Sequence, residues 1–193
     1  MPQIFGYISG VLSVCCFVPY IWDILKHKTK PERASWLIWS VLGVIAFFSQ
    51  LNKGATDSLW LTGVQTIGLV LVFLLSLKYG VGGLTKKDML ALGVAFVGLV
   101  LWKITQEATI ALILVIIIDV AGSLLTISKS YKDPGSETLV TWILSGTSGL
   151  FGALAVYKLD WVLLSYPVYL WLINYIIAGA LILGRRKQIK ERA

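Results

Sequence analysis

Seven stretches of this chain are long and apolar enough to be read as helices crossing a lipid bilayer, and no other feature restricts its fold so severely. Crossing about 30 Å of hydrocarbon takes roughly 20 apolar residues. Away from water, a helix satisfies every backbone polar group within its own segment. The spans are 4–25, 36–52, 59–78, 89–104, 109–127, 138–157 and 161–183, with a count of six as the rival reading. Charge is correspondingly scarce: 14% of the 193 residues are charged, against about 25% in an ordinary soluble domain. The class expected is an all-α membrane protein.

The positive charge is sorted by connection. Lys26, Lys28, Lys30 and Arg33, then Lys78, Lys86 and Lys87, then Lys129 and Lys132, then Arg185, Arg186, Lys187, Lys190 and Arg192 fall on one side. Lys53, Lys103 and Lys158 fall on the other, fourteen against three. This positive-inside bias puts the N-terminus outside and the C-terminus in the cytoplasm, which requires an odd number of spans. It also accounts for the net charge of +7 without invoking nucleic acid. No Lys or Arg precedes Lys26, so the first span is expected to stay in the mature fold rather than act as a cleaved signal peptide. Cys15 and Cys16 are adjacent within that span and read as packing residues.

Shifted by 103 residues, the chain matches itself. Ile24, Lys26, Pro31, Trp39, Gly43, Phe48, Leu51, Asp57 and Leu61 fall on identical residues, nine of the 48 positions from 14 to 61. The Lys, Pro, Trp, Gly and Asp matches weigh most, because each recurs at the same place relative to a helix end. The domains expected are a first three-helix repeat at 1–78, a linker helix with its loops at 79–108, a second repeat at 109–184 and a basic tail at 185–193. Three spans reverse the chain's orientation, so a fourth is needed before the second copy can begin on the original side. The result is seven transmembrane helices as two parallel three-helix bundles joined by a linker helix (3+1+3), whose interface is the usual place for a substrate.

Asp119 stands out within the fifth span. It lies ten positions before Lys129, roughly 15 Å from the turn at about 1.5 Å per residue. A carboxylate at that depth costs on the order of 2.5–3.5 kcal/mol, which marks it as a proton, cation or polar-ligand site; the plainer account is a protonated Asp bonded to a neighbour. Gln65 and Asn174 are amides inside spans that need a partner or a polar cavity. Trp39 and Trp142 read either as interfacial anchors or as walls of a symmetric pocket. Asp23 is expected to pair with Lys26 or Lys28 at a helix end. Ser145, Ser148, Gly146, Gly149 and Gly152 give the sixth span a small surface suited to close packing. Pro19 and Pro167 fall inside spans, as kinks or as hinges. His27 is the one histidine and lies in a basic turn, so no catalytic triad, multi-His metal site or cofactor is expected, and no enzyme. Gly80, Gly82 and Gly83 read as a flexible loop.

Two stretches resemble the SWEET and PQ-loop superfamily of small membrane transporters. One is Phe17-Val18-Pro19-Tyr20-Ile21 followed by Lys26-His27-Lys28-Thr29-Lys30 and Ser35; the other is Val64-Gln65-Thr66-Ile67-Gly68-Leu69. Tyr20 stands where the name-giving Gln is found. The repeat partners of Pro19 and Tyr20 are Gly122 and Ser123, and Val168 beside Pro167 matches Gln65. The resemblance implies transport by rocking of the two bundles, with prolines as hinges. It points to a transporter or facilitator for a small polar solute in the plasma (inner) membrane, its path near Asp119, Gln65, Trp39, Trp142 and Asn174. A seven-helix receptor or sensor that binds without transporting is the alternative. The lipid bilayer and the solute are the expected partners; a homo-oligomer is left open.

Overall fold

The computed structural model describes residues 2–52, 58–83, 85–105, 108–156 and 161–192. Seven α-helices are described, with no β-strand among these residues: α1 (Pro2–Leu25), α2 (Arg33–Asn52), α3 (Ser58–Tyr79), α4 (Lys86–Thr105), α5 (Ala108–Lys132), α6 (Leu139–Leu154) and α7 (Trp161–Arg192). A 3₁₀ turn, Pro134–Ser136, precedes α6. Stretches of four helices are long and apolar enough to cross a membrane: Gln3–Leu25, Thr62–Tyr79, Ile113–Lys132 and Leu164–Glu191. Arg33–Ile45 and Leu139–Leu154 are shorter apolar stretches. Lys53 and Lys158 of the charge pattern, and Asp57 and Asp160 of the repeat, lie outside the described residues.

The helices are turned inside out relative to those of a water-soluble protein. Along α1, Ile4, Tyr7, Val11, Val14, Val18, Trp22 and Leu25 are exposed, three or four residues apart on one face. The opposite face buries Ser9, Ser13, Cys16, Tyr20 and Ile24. Apolar residues facing out and hydroxyls facing in is the pattern of a chain dissolved in hydrocarbon, where helices associate through close packing and hydrogen bonds rather than through exclusion of apolar surface from water. Between α1 and α6, the Ser13 and Ser148 hydroxyls lie 2.7 Å apart, and Thr141 Oγ1 donates to the Cys16 carbonyl at 2.9 Å. Between α2 and α5, Ser35 Oγ donates to the Gly122 carbonyl at 2.7 Å.

The packed pairs are α1 with α3 and α6, α2 with α3, α4 and α5, α4 with α5, and α7 with α5 and α6. Small residues on α6 let α7 come close: a Cβ on Gly149 would sit 2.7 Å from the Trp171 backbone nitrogen. A buried cluster that includes Tyr20, Trp36, Trp39, Val115, Ile118, Trp142 and Ile177 fills the middle.

Two connections differ from their sequence reading. The α1 end is closed by His27 at φ 59, with His27 N–H on the Ile24 carbonyl and Lys28 N–H on the Asp23 carbonyl. This is a left-handed cap more often given to glycine. The Asp23 carboxylate pairs with neither Lys26 nor Lys28; it accepts from Thr138 Oγ1 at 2.9 Å, while the Lys26 ammonium lies over the Trp22 ring. The turn carries the lysines out to the surface and leaves Asp23 facing α6. The glycine segment after α3 is pinned rather than loose, because Arg33 donates to the carbonyls of Ser76, Gly80 and Gly82 at 3.0, 2.9 and 2.7 Å. Helix α7 runs on through Arg192, so the basic tail as far as that residue is helical.

Candidate functional site

All five residues singled out for a solute path, Asp119, Gln65, Trp39, Trp142 and Asn174, line one cavity of about 70 Å³. Its wall is drawn from α1 (Cys16, Phe17), α2 (Trp36, Trp39, Leu42), α3 (Gln65, Leu69), α5 (Asp119, Ser123), α6 (Thr141, Trp142, Ser145) and α7 (Tyr166, Leu170, Ile173, Asn174, Ile177). The α7 contribution is one helical stripe, each member three or four residues from another on the same face. At about 30 Å³ per water the volume corresponds to roughly two water molecules, far below the ~300 Å³ where pockets for drug-sized ligands begin.

Asp119 is buried, and two hydroxyls donate to its Oδ2. Ser123 Oγ, one turn further along α5, does so at 3.2 Å, and the Tyr169 hydroxyl does so from α7. Among the described residues Asp119 takes part in no ion pair. Asn174 is buried and donates through Nδ2 to the Leu170 carbonyl at 2.7 Å, within its own helix. Gln65 is half-buried on α3. Trp39 and Trp142 are buried between helices, which rules out the reading of them as interfacial anchors.

Beside the cavity lie an aromatic cluster and a polar knot. The rings of Tyr20, Trp36, Trp39 and Trp142 lie 5.0–6.4 Å apart, centroid to centroid. Next to them Glu137, fully buried at its side chain, accepts from Tyr20 Oη at 3.2 Å and Trp142 Nε1 at 3.0 Å, and it pairs with Lys129. The Lys129 ammonium also donates to the Lys30 carbonyl. The two matched turns meet here: Lys30 N–H donates to the Ser136 carbonyl at 2.9 Å, and the Thr29 and Thr138 hydroxyls are 2.5 Å apart.

Pro19 sits in α1 beside Tyr20, and Pro167 in α7 between Tyr166 and Tyr169, so both prolines flank residues of this region. The sequence reading missed Trp36, Tyr166, Tyr169 and Glu137. Counting four and eight residues back from Asn174 along one helical face reaches Leu170 and Tyr166, which is the signal that finds the stripe. Glu137 offers none: its repeat counterpart is Ala34. No cluster of His, Cys, Asp and Glu suited to a metal occurs among the described residues. The chain matches no protein-family model, no curated protein and no solved structure.

Proposed function

We propose that this chain is a small membrane transporter or facilitator for a polar solute. It crosses the membrane seven times, as two parallel three-helix bundles joined by α4, with the N-terminus outside and the basic end in the cytoplasm. The packing supports two equivalent halves. Exchanging α1 with α5, α2 with α6 and α3 with α7 turns α1–α3 into α5–α7, α2–α3 into α6–α7 and α1–α6 into α2–α5, all of them packed pairs. Hydrogen bonds support it as well. Asp23 with Thr138 joins α1 to the start of α6. Adding 103 to Asp23 gives Thr126, and subtracting 103 from Thr138 gives Ser35; Thr126 Oγ1 donates to Ser35 Oγ at 3.0 Å. In this reading Tyr20, in the place of the name-giving Gln, keeps a polar contact across the seam through Glu137.

One observation carries the reading: the cavity lies on the seam between the proposed halves, with helices of both in its wall and a buried carboxylate facing it. Rocking the bundles about that seam would open the cavity to one side and then to the other. The bond between the turns at Lys30 and Ser136 supports a closed basic end in this reading. Uptake into proteoliposomes containing the purified chain tests this. Time-dependent accumulation of a solute, lost when Asp119 becomes Asn, is expected; saturable retention without accumulation would instead make the chain a receptor.

A further inference from the structure

Taking the seam cavity as the solute site, we propose that it is built for the head group of a small organic ammonium ion, with Asp119 as counter-ion and the indoles of Trp36, Trp39 and Trp142 as its aromatic wall. Charge is the first argument. Among the described residues, Asp119 is the only carboxylate in the wall, and no Lys, Arg or His lines it. Its hydroxyl partners, Ser123 and Tyr169, bring no charge of their own. Lys129, ten residues along α5, is engaged by Glu137 and the Lys30 carbonyl. A carboxylate desolvated in this way gains a great deal from a mobile cation.

The second argument is the balance of donors and acceptors. The hydroxyl protons of Ser123 and Tyr169 go to Asp119, that of Thr141 goes to the Cys16 carbonyl, and one amide hydrogen of Asn174 goes to the Leu170 carbonyl. These oxygens keep lone pairs toward the cavity, while Trp36 Nε1 is left as a buried donor without a partner. An ammonium group, rich in donors and without acceptors, complements those lone pairs and the Asp119 carboxylate. Aromatic faces add attraction for a cation that a neutral isostere does not receive. Size is consistent with a primary ammonium group, since about 70 Å³ is room for roughly two water molecules, while a bulkier head group waits for the bundles to part.

The experiment follows the intrinsic tryptophan fluorescence of the full-length protein in detergent. The titrants are methylammonium, ethanolamine, choline, the uncharged choline isostere 3,3-dimethylbutan-1-ol, and sorbitol. A saturable response to at least one ammonium compound is expected, with choline binding about tenfold or more tightly than its isostere if choline is the responder. Asp119→Asn should weaken the response by a similar factor and Asp119→Glu should keep most of it; the isostere comparison needs no variant to fold. Equal binding of choline and isostere, a response to sorbitol alone, or silence toward every ammonium compound overturns the proposal. Proteoliposomes separate it from the transport reading. Ammonium binding without accumulation leaves the site standing and ends transport, whereas sorbitol accumulation that ignores Asp119→Asn does the reverse.

Discussion

Trp39 and Trp142, 103 positions apart in the chain, bring their indole rings to 6.0 Å between centroids at an interplanar angle of 64°. One comes from α2 and the other from α6, and both line the cavity. Removing either ring should cost roughly 3–5 kcal/mol, the range for large aromatic truncations in packed interiors. Because the rings touch, the losses should not add: Trp39→Ala with Trp142→Ala is expected to differ from the sum of the two by about 0.5–1.5 kcal/mol. Thermal unfolding of the three variants in detergent measures this. Additive losses would mean that the rings do not share one environment.

The Lys129–Glu137 pair is buried, with side-chain exposures of 12% and 0%. Replacing Lys129 by Met leaves a carboxylate inside the protein with only the Tyr20 and Trp142 donors, and breaking a buried pair from one side costs on the order of 3–5 kcal/mol. Lys129→Met with Glu137→Gln removes both charges together and should recover most of that loss. Unfolding midpoints that fall further in the double variant would show that the pair is not electrostatically coupled.

The same knot is the proposed closure of the basic end, and Cys16 in the cavity wall reports on it. In a Cys15→Ser background, Cys16 becomes the one thiol of the chain. Glu137→Gln weakens the ties to Lys129 and Tyr20, so a water-soluble maleimide should label Cys16 several-fold faster than in the parent, roughly tenfold for each 1.4 kcal/mol lost from the closed state. An unchanged labelling rate, with the variant folded, would place the barrier elsewhere.

Much of the site was legible in the sequence because membrane burial makes polar residues conspicuous. Asp119, Gln65 and Asn174 are rare types in apolar runs, and all three came together in one cavity. The 103-residue self-match of the sequence singled out Trp39 and Trp142 in the same way. What was not legible lay where spacing carries no direction. Asp23 has lysines three and five residues ahead, a reasonable ion pair by sequence, but the left-handed turn at His27 sends them outward and gives Asp23 to Thr138. Glu137 sits in a polar turn that looks solvated until the facing turn buries it. The helical course of the tail was not legible either: Lys187 and Glu191 pair one turn apart on a helix that continues through Arg192.

Gly149 gives the most direct test of how tightly the helices pack. A Cβ there would lie 2.7 Å from the Trp171 nitrogen, 3.0 Å from the Pro167 carbonyl oxygen and 3.1 Å from the Trp171 Cα, all backbone atoms that no rotamer change can move. Gly149→Ala therefore has to push α7 away from α6, and overpacking of this kind costs about 1–3 kcal/mol. Gly149→Val should cost more, since branching at Cβ adds atoms in the same direction. Displacing α7 also displaces Tyr169 from Asp119, so the damage should reach the cavity as well as the thermal midpoint. Gly93 on α4 supplies the control: a Cβ added there would meet nothing within 4 Å, and Gly93→Ala should leave the midpoint unchanged or slightly raised. Equal midpoints for Gly149→Ala and Gly93→Ala would contradict the close approach of α6 and α7.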